Sequence, residues 1–197
     1  MKTALAVIPF LLATTLGGCA SSAQPEPAKQ QPGQAIQSGG RLQPGNQIQD
    51  LPASSWRINY QGRSMSLQAA LAATGKKAAI FQFAGVTCNT CQADAREFTS
   101  SLQSAGGNSV AHVVVFTDFL EDFQDQDFAG FMGTWAPASL RAHDERSSLW
   151  LSLQNDPSKP DRNVIVVLGQ NGRGMFTNLP HPNSAVLSAL RTLASSN

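Results

Sequence analysis

The apolar positions of this chain fall into short blocks separated by turn-forming residues. Ala78–Ala84 is almost unbroken, interrupted only by Gln82, and is bounded by Gly75-Lys76-Lys77 ahead and Gly85 behind. Val110–Phe116, interrupted by His112, and Val164–Leu168 repeat the signal. Runs this short and this apolar predict strands buried on both faces. Gly169-Gln170-Asn171-Gly172 offers a turn into Arg173–Thr177, which predicts a hairpin, and Trp56–Leu67 with Gly62 at its middle predicts another. Helical spacing lies between the strands. Cys91–Leu102 puts Ala95, Phe98 and Leu102 on one side, Ser147–Leu153 presents Leu149, Trp150 and Leu153, and Ala185–Leu193 follows the capping pair Asn183-Ser184. Strand, helix, strand, helix, hairpin, helix is an α/β order.

The N-terminus follows different rules. Met1-Lys2 supplies a positive start, Ala4–Leu16 an apolar run, and Gly17-Gly18 small residues, the order of a signal peptide. Leu16-Gly17-Gly18-Cys19 resembles the lipobox of bacterial lipoproteins, in which cleavage leaves an acylated cysteine. Cys19 is therefore the expected lipidation site. Ala20 is not the aspartate that holds such lipoproteins at the inner membrane, so the resemblance implies an outer-membrane anchor facing the periplasm. Residues 20–49 hold eight Gln, four Pro and four Gly, with Ile36, Leu42 and Ile48 as their only large apolar side chains. Such a segment reads as a flexible tether, with a root-mean-square reach of about 30 Å. The expected division is 1–18 signal peptide, 19–49 tether and 50–197 folded domain.

Charge narrows the partners. Among 197 residues, 14 Lys+Arg against 13 Asp+Glu leave a net +1. No basic surplus is available to neutralise a phosphate backbone, so no nucleic-acid partner is expected. One apolar stretch, too short for a comfortable span of about 20 residues, excludes a polytopic membrane protein.

With Cys19 assigned to lipid, Cys88 and Cys91 remain, as Cys-Asn-Thr-Cys where the first buried strand gives way to a helix. Residues i and i+3 at a helix start share a face, within the Cα separation of a disulfide. The first thiol meets unpaired N–H groups and the positive end of the helix dipole, which favour thiolate. Cys88 is thus the candidate attacking sulfur and Cys91 the resolving one.

These residues resemble the thioredoxin-like TlpA type of periplasmic thiol-disulfide oxidoreductase, akin to the peroxiredoxin-like group. The likeness runs over residues 56–193: Gly62 and Leu67 of a hairpin, Gly75-Lys76 before a buried strand, Cys-x-x-Cys opening a helix, and a later strand closed by Gly169 and Gly172. It implies a thioredoxin-like fold, a central mixed sheet flanked by helices with an N-terminal hairpin extension. It also implies exchange with protein thiols or disulfides in the periplasm, without a cofactor. In this family a cis-proline loop faces the cysteines just ahead of the late strand. Pro160 is the nearest proline upstream of Val164, and the resemblance makes it the substrate-binding residue. Thr87 replaces the Trp that usually precedes the first cysteine, and Gln82 stands where thioredoxins proper carry a buried acid.

Other chemistries compete for the pair. A purely structural disulfide closing so short a loop removes only about 2 kcal/mol of unfolded-state entropy. Two thiolates and a histidine could hold copper(I), as in the Sco-like metallochaperones. Those carry Cys-x-x-x-Cys, and the nearest histidine here, His143, lies well ahead of Val164. This non-enzymatic copper reading is the alternative; the preferred reading assigns no metal ligand. A thiol peroxidase would want Thr and Pro where Gly85 and Phe81 stand. The acidic cluster Asp118, Glu121, Asp122, Asp125 and Asp127, interleaved with Phe119, Phe123 and Phe128, does not fit a calcium loop and reads as a solvated face. His112 reads as packed within a strand, and His181, between two prolines, as a loop residue.

Overall fold

The computed structural model describes residues 42, 44–45, 47–85, 88–117, 139–154, 163–178 and 184–196, all within one compact unit, Gln31–Asn197. Cys19, Thr87, Pro160, His181 and the acidic cluster lie outside the described residues.

Eight strands form one sheet: β1 (Gln49–Asp50), β2 (Arg57–Tyr60), β3 (Arg63–Ser66), β4 (Ala78–Ala84), β5 (Val110–Phe116), β6 (Leu140–His143), β7 (Val164–Gly169) and β8 (Arg173–Thr177). Their order is β1-β8-β7-β4-β5-β6-β2-β3. β5 runs parallel to both β4 and β6, and every other pairing is antiparallel, so the sheet is mixed. The helices are α1 (Leu67–Ala73), α2 (Asn89–Gly106), α3 (Ser148–Leu153) and α4 (Ser184–Ser195). None of the described helices is long and apolar enough to cross a membrane.

The three apolar runs are the centre of the sheet, buried along their whole length. Because side chains alternate across a strand, their residues divide between two cores. Ala79, Phe81, Phe83, Val113, Val115, Val164 and Val166 face the side that holds Leu67 and Leu71 of α1 and Leu149, Trp150 and Leu153 of α3. Ala78, Ile80, Val110, Ile165 and Val167 face α2, through Phe98 and Ala105, and α4, through Val186, Leu190 and Leu193. A fully buried side chain the size of Phe98 contributes about 2–3 kcal/mol over an exposed one.

Both expected hairpins form. β2 and β3 turn at Gln61 and Gly62, with φ of 52° and 74°, the backbone of a two-residue primed turn. β7 and β8 pair in the register Ile165↔Thr177 and Val167↔Met175. Gly174 is required by the close approach there: a Cβ would sit 2.1 Å from the Val167 carbonyl oxygen and 2.8 Å from Leu51 Cδ1.

Three elements were not anticipated. α1 starts directly after the hairpin because Ser66 caps it, its Oγ accepting the Ala69 N–H at 3.0 Å. β6 carries only one buried side chain, Ala142, and is a strand because β5 and β2 pair with its backbone. The folded body also begins earlier than position 50. β1 pairs with β8, the Gly45 N–H donates to the Phe176 carbonyl at 3.0 Å, and Leu42 and Ile48 pack against the two cores. Apolar residues spaced this widely gave no periodic signal, yet each finds a place at the sheet edge.

α3 is capped from a distance. The buried Asp144 carboxylate, just beyond β6, accepts the Leu149 N–H at 3.1 Å and the Trp150 N–H at 2.7 Å. Burial pushes this carboxyl above its ordinary value, and the bonds from Trp150, Leu149 and Ser148 offset part of that rise.

Candidate functional site

β4 ends at Ala84 and α2 begins at Asn89, so the cysteines straddle a strand-to-helix junction. The Cys88 N–H donates to the Gly85 carbonyl at 3.1 Å, closing the turn. The Cys88 carbonyl accepts the Gln92 N–H at 3.1 Å, the first bond of the helix, which makes Cys88 its N-cap. The expected helix thus starts ahead of Cys91, at Asn89.

Cys88 and Cys91 form a disulfide with a Cα–Cα distance of 5.2 Å. The Cys91 N–H donates to Cys88 Sγ at 3.2 Å. Thr90 Oγ1 lies 3.3 Å from the same sulfur, and since a disulfide sulfur carries no hydrogen, the hydroxyl donates. The two sulfurs differ in access. Cys88 is partly exposed, between the exposed Asn89 and the turn, whereas Cys91 is 1% exposed. Donors converge on Cys88, the partly exposed member of the pair.

Behind the disulfide lies a buried polar chain. Gln82 is fully buried in the middle of β4, and its Nε2 donates to the Cys91 carbonyl at 2.9 Å and to Asn163 Oδ1 at 3.3 Å. Its Oε1 meets His112 Nε2 at 2.8 Å, and His112 Nδ1 meets Ser139 Oγ at 2.6 Å. On the other side Asn163 Nδ2 donates to Asp94 Oδ2. The alternation explains the assembly: Ile80 pairs with His112 and Gln82 with Val114, so Gln82 and His112 both point to the face that carries α2. Phe98 of α2 covers the imidazole, with ring centroids 5.4 Å apart. Burial lowers the His112 pKa to about 3, so the ring is neutral at physiological pH.

Three members of this chain escaped the sequence reading. Asp94 follows Cys91 by three residues, and both are 1% exposed on the inner face of α2. An acid inside the stripe Cys91, Ala95, Phe98 is a signal that periodicity could have flagged. Asn163 and Ser139 stand at strand ends, where no local pattern marks them. His143, the alternative's metal ligand, lies on β6, and among the described residues no three Cys, His, Asp or Glu side chains gather as a metal site.

No family model matches the sequence, and no curated protein does. Solved structures match the fold. The Mycobacterium tuberculosis (MTB) protein dsbF, in mixed oxidized and reduced forms, aligns with a TM-score of 0.50 at 17% identity, over 74% of this chain and 99% of that one. A solution structure from Bacteroides thetaiotaomicron, provisionally described as a protein disulfide isomerase, gives 0.51 at 12% identity, over 78% and 87%. Copper-bound yeast Sco1 gives 0.47 at 11% identity, over 67% and 82%. The first two matches give the domain a thioredoxin-like fold, as the family resemblance implied.

Proposed function

We propose that this protein carries out thiol-disulfide exchange with protein substrates, as a TlpA-type domain held in the periplasm by a lipid on Cys19. The observation that carries the reading is the Cys88–Cys91 disulfide at the N-terminus of α2, with one cysteine partly exposed and the other buried. In the reducing direction the Cys88 thiolate attacks a substrate disulfide and releases one substrate thiolate, leaving a mixed disulfide. Cys91 then loses its proton and attacks Cys88 Sγ. The second substrate thiolate departs, and two electrons have passed to the substrate, whose two thiolates take their protons from the medium. The reverse sequence oxidises a substrate dithiol. Asp94, one helical turn beyond Cys91 on the same buried face, receives the Cys91 proton. Pro160 is assigned to the substrate peptide on the family resemblance.

The test is trapping. Cys91→Ser should accumulate a mixed disulfide through Cys88 with protein substrates, and Cys88→Ser should accumulate none. Equal trapping by both variants, or by neither, would sink the exchange reading. Mass spectrometry of the native protein should find an acylated N-terminus at Cys19. A lipid-free N-terminus further along would remove the anchor.

A further inference from the structure

The two donors on Cys88 Sγ differ in kind. The Cys91 N–H, at 3.2 Å, is backbone of the first helical turn and owes nothing to a side chain. The Thr90 hydroxyl, at 3.3 Å, is there because position 90 holds a hydroxyl residue. Its direction is set by its partner. Neither a disulfide sulfur nor a thiolate carries a hydrogen, so the hydroxyl donates to both. The two are unequal acceptors, because a bond to an ionised sulfur is charge-assisted and roughly twice as strong. Thr90 therefore favours the reduced, ionised Cys88 over the disulfide. The cysteine keeps its place beside Thr90 after reduction, since its backbone is set by the Gly85 carbonyl and the Gln92 N–H and not by the S–S bond.

We propose that Thr90 is a catalytic residue of the exchange: its hydroxyl receives Cys88 Sγ as a thiolate and so tips the pair toward handing its disulfide to a substrate. The inference deepens the exchange reading and rests on it. When a substrate dithiol is oxidised, its first thiolate attacks Cys88 Sγ and Cys91 leaves as the thiolate. The second substrate thiolate then attacks the substrate sulfur of the mixed disulfide. A substrate disulfide forms, the bond to Cys88 breaks, and its electron pair goes to Cys88 Sγ. A sulfur departs faster the more its thiolate is stabilised, so Thr90 acts at the step in which Cys88 is the leaving group. In the reducing direction the same bond enlarges the thiolate fraction that attacks, at a partial loss of nucleophilicity. Thr90 is exposed, which keeps its contribution that of one net hydrogen bond. The other ionisable groups on the elements around the pair are Asp94, Arg96 and Glu97 of α2, the neutral His112 of β5 and Arg191 of α4. β4 and β7 carry none.

The experiment removes the hydroxyl and keeps the shape. Thr90→Val puts a methyl group where the hydroxyl stands, so that water cannot take the donor's place, and leaves every ionisable group listed above unaltered. Ultraviolet thiolate absorbance, read on the full chain with Cys91→Ala so that Cys88 titrates alone, should show the proton affinity of Cys88 rising about fivefold with Thr90→Val. In the chain with both cysteines, the equilibrium constant for disulfide formation against glutathione at pH 9 should rise about fivefold, about 20 mV for a two-electron couple. Thr90→Ser, which keeps the hydroxyl, should restore both values. Asn89→Ala, in the same dipeptide, should leave both where they are. An unchanged Cys88 titration or an unchanged equilibrium in Thr90→Val would overturn the proposal, as would a Ser variant no better than Val. A shift of equal size in Asn89→Ala would assign the effect to the dipeptide at large and overturn it too. These readouts use glutathione and the proton alone. Failure of mixed-disulfide trapping with both shifts in place would therefore refute the exchange reading and leave the bond from Thr90 to the Cys88 thiolate standing.

Discussion

Gln82 and Cys91 are joined by a single bond, side-chain amide to backbone carbonyl at 2.9 Å, that ties the sheet's central strand to the first turn of the cysteine helix. It replaces the buried acid expected at this position of a thioredoxin with an uncharged donor. The consequences of that replacement can be measured.

Gln82→Glu exchanges the donor for a carboxylate oxygen facing the Cys91 carbonyl and Asn163 Oδ1. Burial without a cation would push the new carboxyl above its ordinary value. Its folded-state proton is then held more tightly than in the unfolded chain, so the penalty is small near pH 4 and grows as pH rises. Denaturant melts should show a loss of about 2–4 kcal/mol at pH 8, shrinking toward pH 4.5. A pH-independent loss would contradict this account.

Asp94→Asn keeps an acceptor for Asn163 and removes the site for the Cys91 proton. Resolution of a preformed Cys88 mixed disulfide should slow about 100-fold, the lower end for a positioned proton acceptor. Initial attack by Cys88 should be little changed. Quenched-flow gels that separate the mixed disulfide from the final products would read both steps.

His112 couples folding to acid. Its pKa is lowered by burial from 6.5 to about 3, so below pH 6.5 the unfolded chain binds a proton that the folded one refuses. Stability from this group is complete above pH 6.5 and falls as the medium is acidified, with a slope approaching about 1.4 kcal/mol per pH unit. Asp144 acts in the opposite sense: its raised carboxyl makes the folded state the better proton binder above 3.8. Melts at pH 4.5, 5.5 and 6.5 should therefore become less pH-dependent in His112→Gln, which can still donate to Gln82. An unaltered slope would show that another group is responsible.

Gly174→Ala tests the sheet edge. Its Cβ would collide with the Val167 carbonyl, which is backbone and cannot swing aside, and with Leu51. A loss of more than about 3 kcal/mol is expected, beyond ordinary overpacking. Thermal melts of the oxidised protein would show it.

The sequence disclosed most where the physics is local. Buried strands showed as apolar runs, the hairpins as turn residues between them, and α2 and α4 as spaced apolar faces. Gln82 and His112 were visible as polar breaks in those runs, whereas their place on one face follows from the pairing of β4 with β5. What stayed hidden is contributed by distant chain. Asn163 meets Asp94 across 69 positions and Ser139 meets His112 across 27, partnerships that no window of periodicity contains. β6 was hidden for the same reason, since its strand character belongs to β5 and β2 more than to its own residues.

The segment that lies along β8 also gives the molecule a mechanical sense. Tension on the chain ahead of Leu42 meets the Gly45–Phe176 bond, then the β1 pairing, then the Leu51 N–H on the Gly172 carbonyl at 3.1 Å. These bonds are the stitches of a seam at the sheet's margin, and β8 and β7 stand between that seam and β4. A pull from ahead of Leu42 is therefore spent on a sacrificial hem, while the strand that holds Gln82 against the cysteine helix keeps its register.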